Sequence, residues 1–275
     1  MSSQPAGLDR TRLTPEQLGF DPEALREKYR AERDRRIRPD GAAQYRRAAG
    51  EFGYYATDPY TERSERAPVG DRVEAKREHP ADDLLSGLIH GDAEPPLTGT
   101  ELIDIATVLL GAGHETTANM LALATFALLE HPDQLAAVRA DPTVLDDGVD
   151  ELLRYLSIIH IGPTRIATEA TTIAGTPIAA GDTVLLSVPQ ANRAQDQWPE
   201  PERLDLTRPR NPHLAFGHGV HQCLGQQLAR SELRVGLAEL IQRLPDLRLA
   251  APADEIPVRS DMLIFGVHSL PITWS

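Results

Sequence analysis

The sequence predicts a mainly helical fold with small β-sheets, an α+β architecture. Residues 98–130 and 224–244 place apolar side chains at helical spacing, whereas the stretch at 165–186 alternates with a period of two. Hydrophobic residues make up 41% of the 275 residues, which is enough to bury the core of one large domain or two small ones.

Charged residues crowd the first part of the chain, and large aliphatic residues are sparse there. Asp21-Pro22-Glu23 predicts the start of a helix, because a capping carboxylate precedes proline at the first helical position. The opposite charges that follow suit a solvated helix of about four turns. Residues 63–79 show no periodic apolar pattern, which is typical of a linker. We therefore expect a partly helical extension at residues 1–79 and a domain at residues 80–275.

The charge balance and the single cysteine limit the function classes. With 28 basic and 41 acidic residues the net charge is −13, which disfavours binding to the phosphate backbone of nucleic acid. No apolar run reaches the roughly 18 residues that span a membrane, and the N-terminus lacks the pattern of a signal peptide. One cysteine cannot form an internal disulfide. We expect a cytoplasmic protein with neither a nucleic-acid nor a membrane partner.

The first strong helical pattern lies at residues 98–130. Thr98 or Thr100 can cap its start, and His131-Pro132 ends it because proline cannot continue a helix. Apolar residues fall on nearly all faces of this stretch, which predicts a central buried helix.

The middle of this helix contains glycine where a helix normally avoids it. Each of Gly111 and Gly113 costs about 1 kcal/mol relative to alanine. Small residues let a flat ligand approach the backbone, and a threonine hydroxyl that bonds back to the preceding turn can open the helix locally. The pattern predicts a groove with a carboxylate and a hydroxyl; the alternative is a kinked core helix in which Glu115 has no function. A zinc protease motif is excluded because Ala118 stands where H-E-x-x-H requires histidine.

Further along the chain the elements are shorter. Glu151 and Arg154 lie one turn apart on a helix, where such pairs are usually solvated and contribute little. Gly175 and Gly181 mark turns in a small sheet, and the proline-rich residues 198–205 form an irregular meander. The predicted strands of that sheet are 165–168, 172–174 and 183–186.

Cys223 is the only cysteine, and it lies in a glycine-punctuated loop at residues 216–225 just before or within the first turn of a helix. The helix N-terminus stabilises a thiolate there, as a metal ligand requires. Zinc would need companion ligands, and no second cysteine exists. A nucleophilic cysteine with His221 as its base is a further alternative. A single thiolate with one open face suits heme iron better.

Four motifs in this chain resemble those of the cytochromes P450. The pattern Phe216-x-x-Gly219-x-His221-x-Cys223-x-Gly225 resembles the heme-binding loop, and residues 112–117 resemble the oxygen-activation turn of the long central helix. Glu151-x-x-Arg154 resembles the Glu/Arg pair of the family, which Arg203 of the meander would join. The resemblance to soluble bacterial members covers about residues 80–275, so it implies the C-terminal half of the P450 fold without the front half.

The resemblance implies a heme-thiolate monooxygenase that inserts one oxygen atom of O₂ into a small organic substrate. Heme b would be ligated by Cys223, Arg165 and His221 would bind its propionates, and Glu115 and Thr116 would relay protons. The implied cofactor-binding residues are Ala112, Gly113, Arg165, Phe216, Gly217, His221, Cys223 and Gly225, and the implied structural residues are Glu151, Arg154 and Arg203.

The electron supply and the missing half raise two further expectations. No flavin or iron–sulfur motif is present, so a separate ferredoxin and an NAD(P)H-dependent reductase are implied as electron donors. Another subunit would then complete the heme pocket. The alternative is a non-catalytic remnant or interaction protein that does not hold heme stably. Residues 1–75 resemble, less specifically, the leader that precedes the FAD domain in some Baeyer–Villiger flavin monooxygenases.

Overall fold

The computed structural model describes residues 24, 27, 31, 68–91, 95–209 and 212–274. The chain divides into two compact units, Met1–Arg66 and Ala67–Ser275. In the first unit, Ala24, Glu27 and Ala31 are helical and exposed. The remainder of the helix predicted from Asp21 lies outside the described residues, as does most of the segment that resembles a flavin monooxygenase leader.

The described part of the second unit confirms the mainly helical fold class with small sheets. Its six short strands pair as three antiparallel two-stranded sheets, β1 with β4, β2 with β3, and β5 with β6. The helices are α1 (Val69–Glu78), α2 (Leu84–His90), α3 (Gly99–Glu130), α4 (Pro132–Ala140), α5 (Leu145–Leu156), α6 (Val188–Ala191) and α7 (Gln226–Arg243). The strands are β1 (Thr164–Ile166), β2 (Thr171–Ile173), β3 (Thr176–Ile178), β4 (Thr183–Leu185), β5 (Arg248–Leu249) and β6 (Ile272–Thr273).

Helix α3 begins and ends where its sequence predicts. The hydroxyl of Thr98 accepts the Glu101 N–H at 3.2 Å, and the Glu101 carboxylate accepts the Thr98 N–H at 2.8 Å, which forms a reciprocal capping box. At the other end Pro132 opens α4. The expected burial holds for Leu102 near the start of α3 and for its second half, where Met120, Leu123 and their neighbours pack inside. In the first half Val108 and Leu110 are two-thirds exposed.

The core lies where α3, α5 and α7 meet. Leu145, Val149 and Leu152 of α5 face Leu233 and Leu237 of α7, and all are almost fully buried. Glycine at position 236 lets α7 approach α3 closely, because a Cβ there would lie only 3.1 Å from a methyl group of Leu121. This packing holds the second half of α3 and leaves its first half outside the core.

Helix α1 corrects the expectation of a linker at residues 63–79. Val73 is the buried residue of α1, Gly70 lies against Ile103 of α3, and Lys76 pairs with Asp83. A single buried valine leaves no apolar period in the sequence, so tertiary contacts fix this helix instead of local pattern. Residues 63–67 lie outside the described residues, and a domain boundary at residue 79 remains a prediction.

The small sheets follow the predicted turns and add a strand. Gly175 and Gly181 adopt φ values of 81° and 92°, in the region that favours glycine. Strand β3 was not predicted because Pro177 interrupts its pattern, but β3 pairs only with β2, so Pro177 sits in an edge strand where no ladder hydrogen bond is lost.

The Glu151–Arg154 pair is buried, contrary to the usual expectation for a pair at this spacing. The Arg154 side chain is fully buried and binds the carboxylate with two hydrogen bonds, from Nε to Oε2 at 2.7 Å and from Nη2 to Oε1 at 2.9 Å. Its Nη1 donates to the carbonyl oxygens of Asn192 and Pro201, both at 2.9 Å. All the donors of the guanidinium therefore bind, which offsets the cost of burying the charge.

The third charged partner is Arg208 and not Arg203. Nε of Arg208 lies 3.1 Å from Glu151 Oε1, whereas the Arg203 side chain is exposed and pairs with Glu200. Arg203 contributes only its carbonyl oxygen, which accepts from Arg154 at 3.4 Å and from Arg208 at 3.0 Å. Residues 206–208 form a turn, so no strand or helix period in the sequence marks position 208 as inward-facing.

A second ion cluster joins α5 to α7 and to the chain before residue 216. Oδ1 of Asp150 accepts from Arg230 Nε at 2.8 Å and from His213 Nε2 at 3.1 Å. Burial disfavours the charged carboxylate, but the hydrogen bonds from His213 and Arg230 outweigh it and lower the pKa of Asp150 to about 2. The folded state thus holds this carboxylate ionised.

Replacing Arg154 with methionine should destabilise the fold strongly, because Glu151 would be left charged and buried. We expect a loss of about 3–5 kcal/mol in the free energy of unfolding, measured by urea denaturation. The matched control is Arg243→Met, which removes an exposed pair with Glu239 on α7 and should change stability little. Equal small losses for the two variants would contradict a structural role for the buried pair.

Asp150→Asn should make the protein less sensitive to acid. Because the folded pKa of Asp150 is about 2, below its ordinary value of 3.8, its stabilisation is complete above about pH 4 and disappears as the pH falls toward 2. Water still screens part of the cluster, so we expect this contribution to be on the order of 1 kcal/mol. Urea denaturation at several pH values should show the difference between the two proteins shrinking below pH 4; a constant difference would contradict the assignment.

Candidate functional site

The loop before α7 has a defined backbone conformation. Gly217 and Gly219 adopt φ values of 72° and 82°, which side chains rarely tolerate. The Phe216 carbonyl oxygen accepts the Cys223 N–H at 2.9 Å, and the Leu214 carbonyl oxygen accepts the Gly217 N–H at 2.9 Å. These bonds close the loop on itself, so the glycines fix where the cysteine backbone lies.

Cys223 lies three residues before the first residue of α7 and is exposed. This confirms its predicted place just before the helix. Among the described residues, no side chain caps the first turn of α7. The backbone N–H groups of that turn and the positive end of the helix dipole therefore lie at the end of α7 that follows Cys223. Leu224 and Leu228 beside it are also exposed, at 87% and 63%. Exposed apolar side chains thus follow Cys223 closely in the chain.

The glycine-containing turn of α3 is exposed and keeps its helical hydrogen bonding. Thr116 Oγ1 donates to the Ala112 carbonyl oxygen at 2.6 Å, as expected for a threonine that bonds to the preceding turn. The helix nevertheless continues unbroken from Gly99 to Glu130, so no local opening is seen. A Cβ added at Gly111 or Gly113 would meet no atom within 4 Å. Open space therefore adjoins this turn.

Helix packing brings the turn and the cysteine loop to the same end of one helix pair. Thr117 Oγ1 donates to Glu232 of α7 at 3.3 Å, and one turn later Leu121 contacts Gly236. Positions four residues apart on α3 thus match positions four apart on α7, so the helices run parallel at this contact. The exposed residues 107–115 and 218–225 lie on the N-terminal side of it. Sequence motifs alone could not place them together.

Glu115 pairs with an arginine that sequence reasoning missed. Arg259 Nη2 donates to Glu115 Oε1 at 2.7 Å, and Arg259 Nη1 donates to Asn119 Oδ1 at 3.1 Å. The Glu115 side chain is 48% exposed, so it does not incur the cost of burying a carboxylate. Because 144 residues separate the partners, no local pattern could have predicted this pair.

The C-terminal segment reaches α3 through a glycine. A Cβ added at Gly266 would lie 1.8 Å from Asn119 Oδ1, so only glycine fits this approach. The Gly266 carbonyl oxygen accepts the Arg259 N–H at 2.8 Å, and Val258 bridges Val267. The segment thus positions Arg259 against Asn119 and against Glu115, the predicted proton-relay residue one helical turn earlier.

Among the other predicted residues Arg165, His221 and Gly225 are exposed, and Phe216 and Gly217 are partly buried. Arg165 lies on β1 and donates to its own neighbour, the Thr164 carbonyl oxygen, at 3.0 Å, and His221 ends a 3₁₀ turn at Gly219–His221. A Cβ at Gly217 or Gly225 would meet open space. An exposed thiol, small residues at the same end of the α3–α7 pair and exposed apolar side chains fit a flat, largely apolar group held through sulfur. The roles of Arg165 and His221 toward propionates remain predictions.

No group of three His, Cys, Asp or Glu side chains in residues 68–91, 95–209 and 212–274 is arranged to hold a metal ion. Over the same ranges, every helix is too short or too polar to cross a lipid bilayer.

Comparison with known proteins gives consistent family matches. The cytochrome P450 family model matches residues 56–273. Cytochrome P450 105C1 of a Streptomyces species is 56% identical over 202 residues, which cover 74% of this chain and 52% of the relative. Pentalenic acid synthase of Streptomyces avermitilis is 49% identical over 203 residues, covering 74% and 50%. The chain spans about half the length of these curated relatives.

Solved structures show the same likeness in three dimensions. The crystal structure of Rif16 gives a TM-score of 0.72 at 57% identity and covers 75% of this chain and 57% of that chain. CYP105P1 in complex with filipin I gives 0.72 at 46% identity, covering 75% and 52%. The family match, the relatives and the loop that presents Cys223 agree, and this chain belongs to the cytochrome P450 family.

Proposed function

We propose that this chain is the thiolate-bearing part of a heme b monooxygenase that inserts one oxygen atom of O₂ into a small organic substrate. Heme b is the standard cofactor of the family. The observation that carries the proposal is the exposed Cys223 thiol, held by a glycine-shaped loop on the same side of the α3–α7 contact as the open turn at residues 111–116.

The residues of the loop and of α3 suit separate tasks in such a pocket. When bound, heme would supply the oxygen chemistry, and a cysteine thiolate would donate electron density to its iron. Cys223 supplies the sulfur, and the bond from its N–H to Phe216 fixes its backbone. Gly113 adjoins open space on α3, and Ala112 beside it is small. The exposed cationic side chain of Arg165, together with His221, provides hydrogen-bond donors for the propionates.

Glu115 and Thr116 suit proton delivery. Half of the Glu115 side chain is in contact with water, so its carboxylate can exchange a proton with solvent. The Thr116 hydroxyl donates to the helix backbone and still has acceptor capacity, so it can accept a hydrogen bond from a water molecule on the open side. Neighbouring positions on one helix keep the two groups close together.

The proposal includes partners and a location. Electrons would come from a ferredoxin and an NAD(P)H-dependent reductase. Further polypeptide, on a longer chain or in another subunit, would cover the exposed apolar residues Val108, Leu110, Leu224 and Leu228 and complete the pocket. Relatives have been crystallised with filipin I and with a biphenyl compound, which supports a small organic substrate. We propose a cytoplasmic location.

The ligand assignment is tested by the reduced, carbon monoxide-bound spectrum of the full chain after heme supplementation. We expect the red-shifted Soret band of thiolate-ligated heme, and its complete loss in Cys223→Ala because the sulfur is gone. His218→Gln, an exposed change in the same loop, is the matched control and should keep the band. A wild-type chain that takes up heme without this band, or a Cys223→Ala variant that retains it, would sink the proposal.

The proton-relay role is tested by Thr116→Ala. The variant should keep the spectrum but release more hydrogen peroxide per O₂ consumed, with product yield per O₂ lowered roughly tenfold or more because proton delivery fails. Thr107→Ala removes an equivalent bond, from Oγ1 to the Ile103 carbonyl oxygen at 2.7 Å on the same helix, and should leave coupling unchanged. Equal uncoupling in the two variants would show a general effect on α3.

A further inference from the structure

The cluster of Asp150, His213 and Arg230 connects helix α5 to both ends of the cysteine loop. His213 precedes the loop at residues 216–225 and Arg230 follows it, and both donate to the same oxygen, Asp150 Oδ1, at 3.1 and 2.8 Å. The three side chains are largely buried, with 5% of His213 and 13% of Asp150 exposed. The motifs that define the family site include none of them.

The first route from Asp150 to the loop passes through His213. Its Nδ1 accepts the Ala215 N–H at 3.2 Å, which leaves Nε2 to donate to Asp150. Both ring nitrogens are therefore used, so the ring has one orientation. Ala215 directly precedes Phe216, and the hydrogen bond from its N–H fixes the backbone at the entry to the loop.

The second route passes through Arg230. Its guanidinium carbon lies 4.7 Å from the centre of the Phe216 ring, in cation–π geometry, and Nη1 donates to Gln226 Oε1 at 3.1 Å. The centre of the His213 ring lies 5.9 Å from the centre of the same Phe216 ring. Phe216 is thus in contact with both residues that Asp150 holds.

Phe216 then transmits this restraint to the cysteine, because its carbonyl oxygen accepts the Cys223 N–H at 2.9 Å. One carboxylate oxygen on α5 is connected by two independent sets of contacts to the residue that fixes the Cys223 backbone. If Asp150 only stabilised the contact between α5 and α7, the bond to Arg230 would be sufficient.

We propose that Asp150 is a positioning residue, which sets the geometry of the Cys223 thiolate by clamping the two ends of its loop through His213 and Arg230. In relation to heme this rests on the proposed function; the restraint on the loop itself does not. Loss of the clamp should let the loop move, so that sulfur and iron part more easily even in folded protein.

The chain offers a matched control on the same two helices. Asp146 of α5 pairs with Arg234 of α7 at 3.1 Å, with the same chemistry as the Asp150–Arg230 pair. This pair is half exposed, and Asp146 lies one helical turn before Asp150 on α5. Asp146→Asn therefore reports the cost of removing a neighbouring α5–α7 ion pair while the bonds from His213 and Arg230 to Asp150 stay in place.

The experiment compares Asp150→Asn, Asp150→Glu and Asp146→Asn in the full chain. Amide hydrogen exchange without heme should be roughly tenfold faster over residues 214–223 in Asp150→Asn, as expected for loss of a charge-assisted hydrogen bond. With heme, the fraction of the reduced carbon monoxide complex that shows the thiolate-type band should fall by about half or more. Asp150→Glu should recover part of both properties, and Asp146→Asn should match the wild type.

The outcomes separate this proposal from the proposed function. If the wild type lacks the thiolate-type band, the monooxygenase proposal fails, while the exchange measurement still decides whether Asp150 restrains the loop. If Asp150→Asn merely lowers the free energy of unfolding, with wild-type exchange in the loop and a wild-type spectrum in the folded fraction, Asp150 is structural only and the proposal is overturned. If Asp150→Asn does not fold, Arg230→Lys, which keeps the charge and loses the stacking on Phe216, must show the same loop exchange and band loss.

Discussion

The buried Arg154–Glu151 pair is the interaction on which the rest of the site depends. Arg154 binds the carbonyl oxygens of Asn192 and Pro201 and so ties the irregular meander to α5. The Asn192 side chain in turn accepts the Leu214 N–H at 2.7 Å, two residues before the cysteine loop. The described residues between 192 and 214 form neither helix nor strand. Side-chain hydrogen bonds therefore supply the restraint that a sheet or helix would give.

Adjacent residues of α5 hold different parts of the same region. Glu151 serves the meander, and Asp150, which precedes it, accepts from His213 and Arg230 on either side of the loop. The two carboxylates are oriented by the packed face of α5 against α7, where Val149 and Leu152 are buried. Helix α5 therefore holds both the meander and the cysteine loop through two adjacent carboxylates. The residues proposed for chemistry lie at the exposed end of the α3–α7 pair, where space remains for a cofactor.

Much of the candidate site was predictable because its signals are local. The capping box at Thr98, the glycine φ values at positions 217 and 219 and the position of Cys223 before α7 each follow from a few neighbouring residues. Helix α1 has one buried valine and strand β3 contains a proline, so their local signals were too weak. Arg208 was missed because the motif resemblance indicated Arg203, and the turn at residues 206–208 has no period in the sequence that marks position 208 as inward-facing.

The sequence by itself determined the fold class, the bounds of α3, the cysteine loop and the family, since periodicity, caps and short motifs are written in consecutive residues. Only the tertiary structure decided that Glu151 and Arg154 are buried and that Glu115 pairs with Arg259. It also decided that Asp150 binds His213 and Arg230, which lie 63 and 80 positions further along the chain. The physical reason is that burial and long-range ion pairs depend on how helices pack, and a residue's neighbours in sequence carry no record of which distant side chain will reach it.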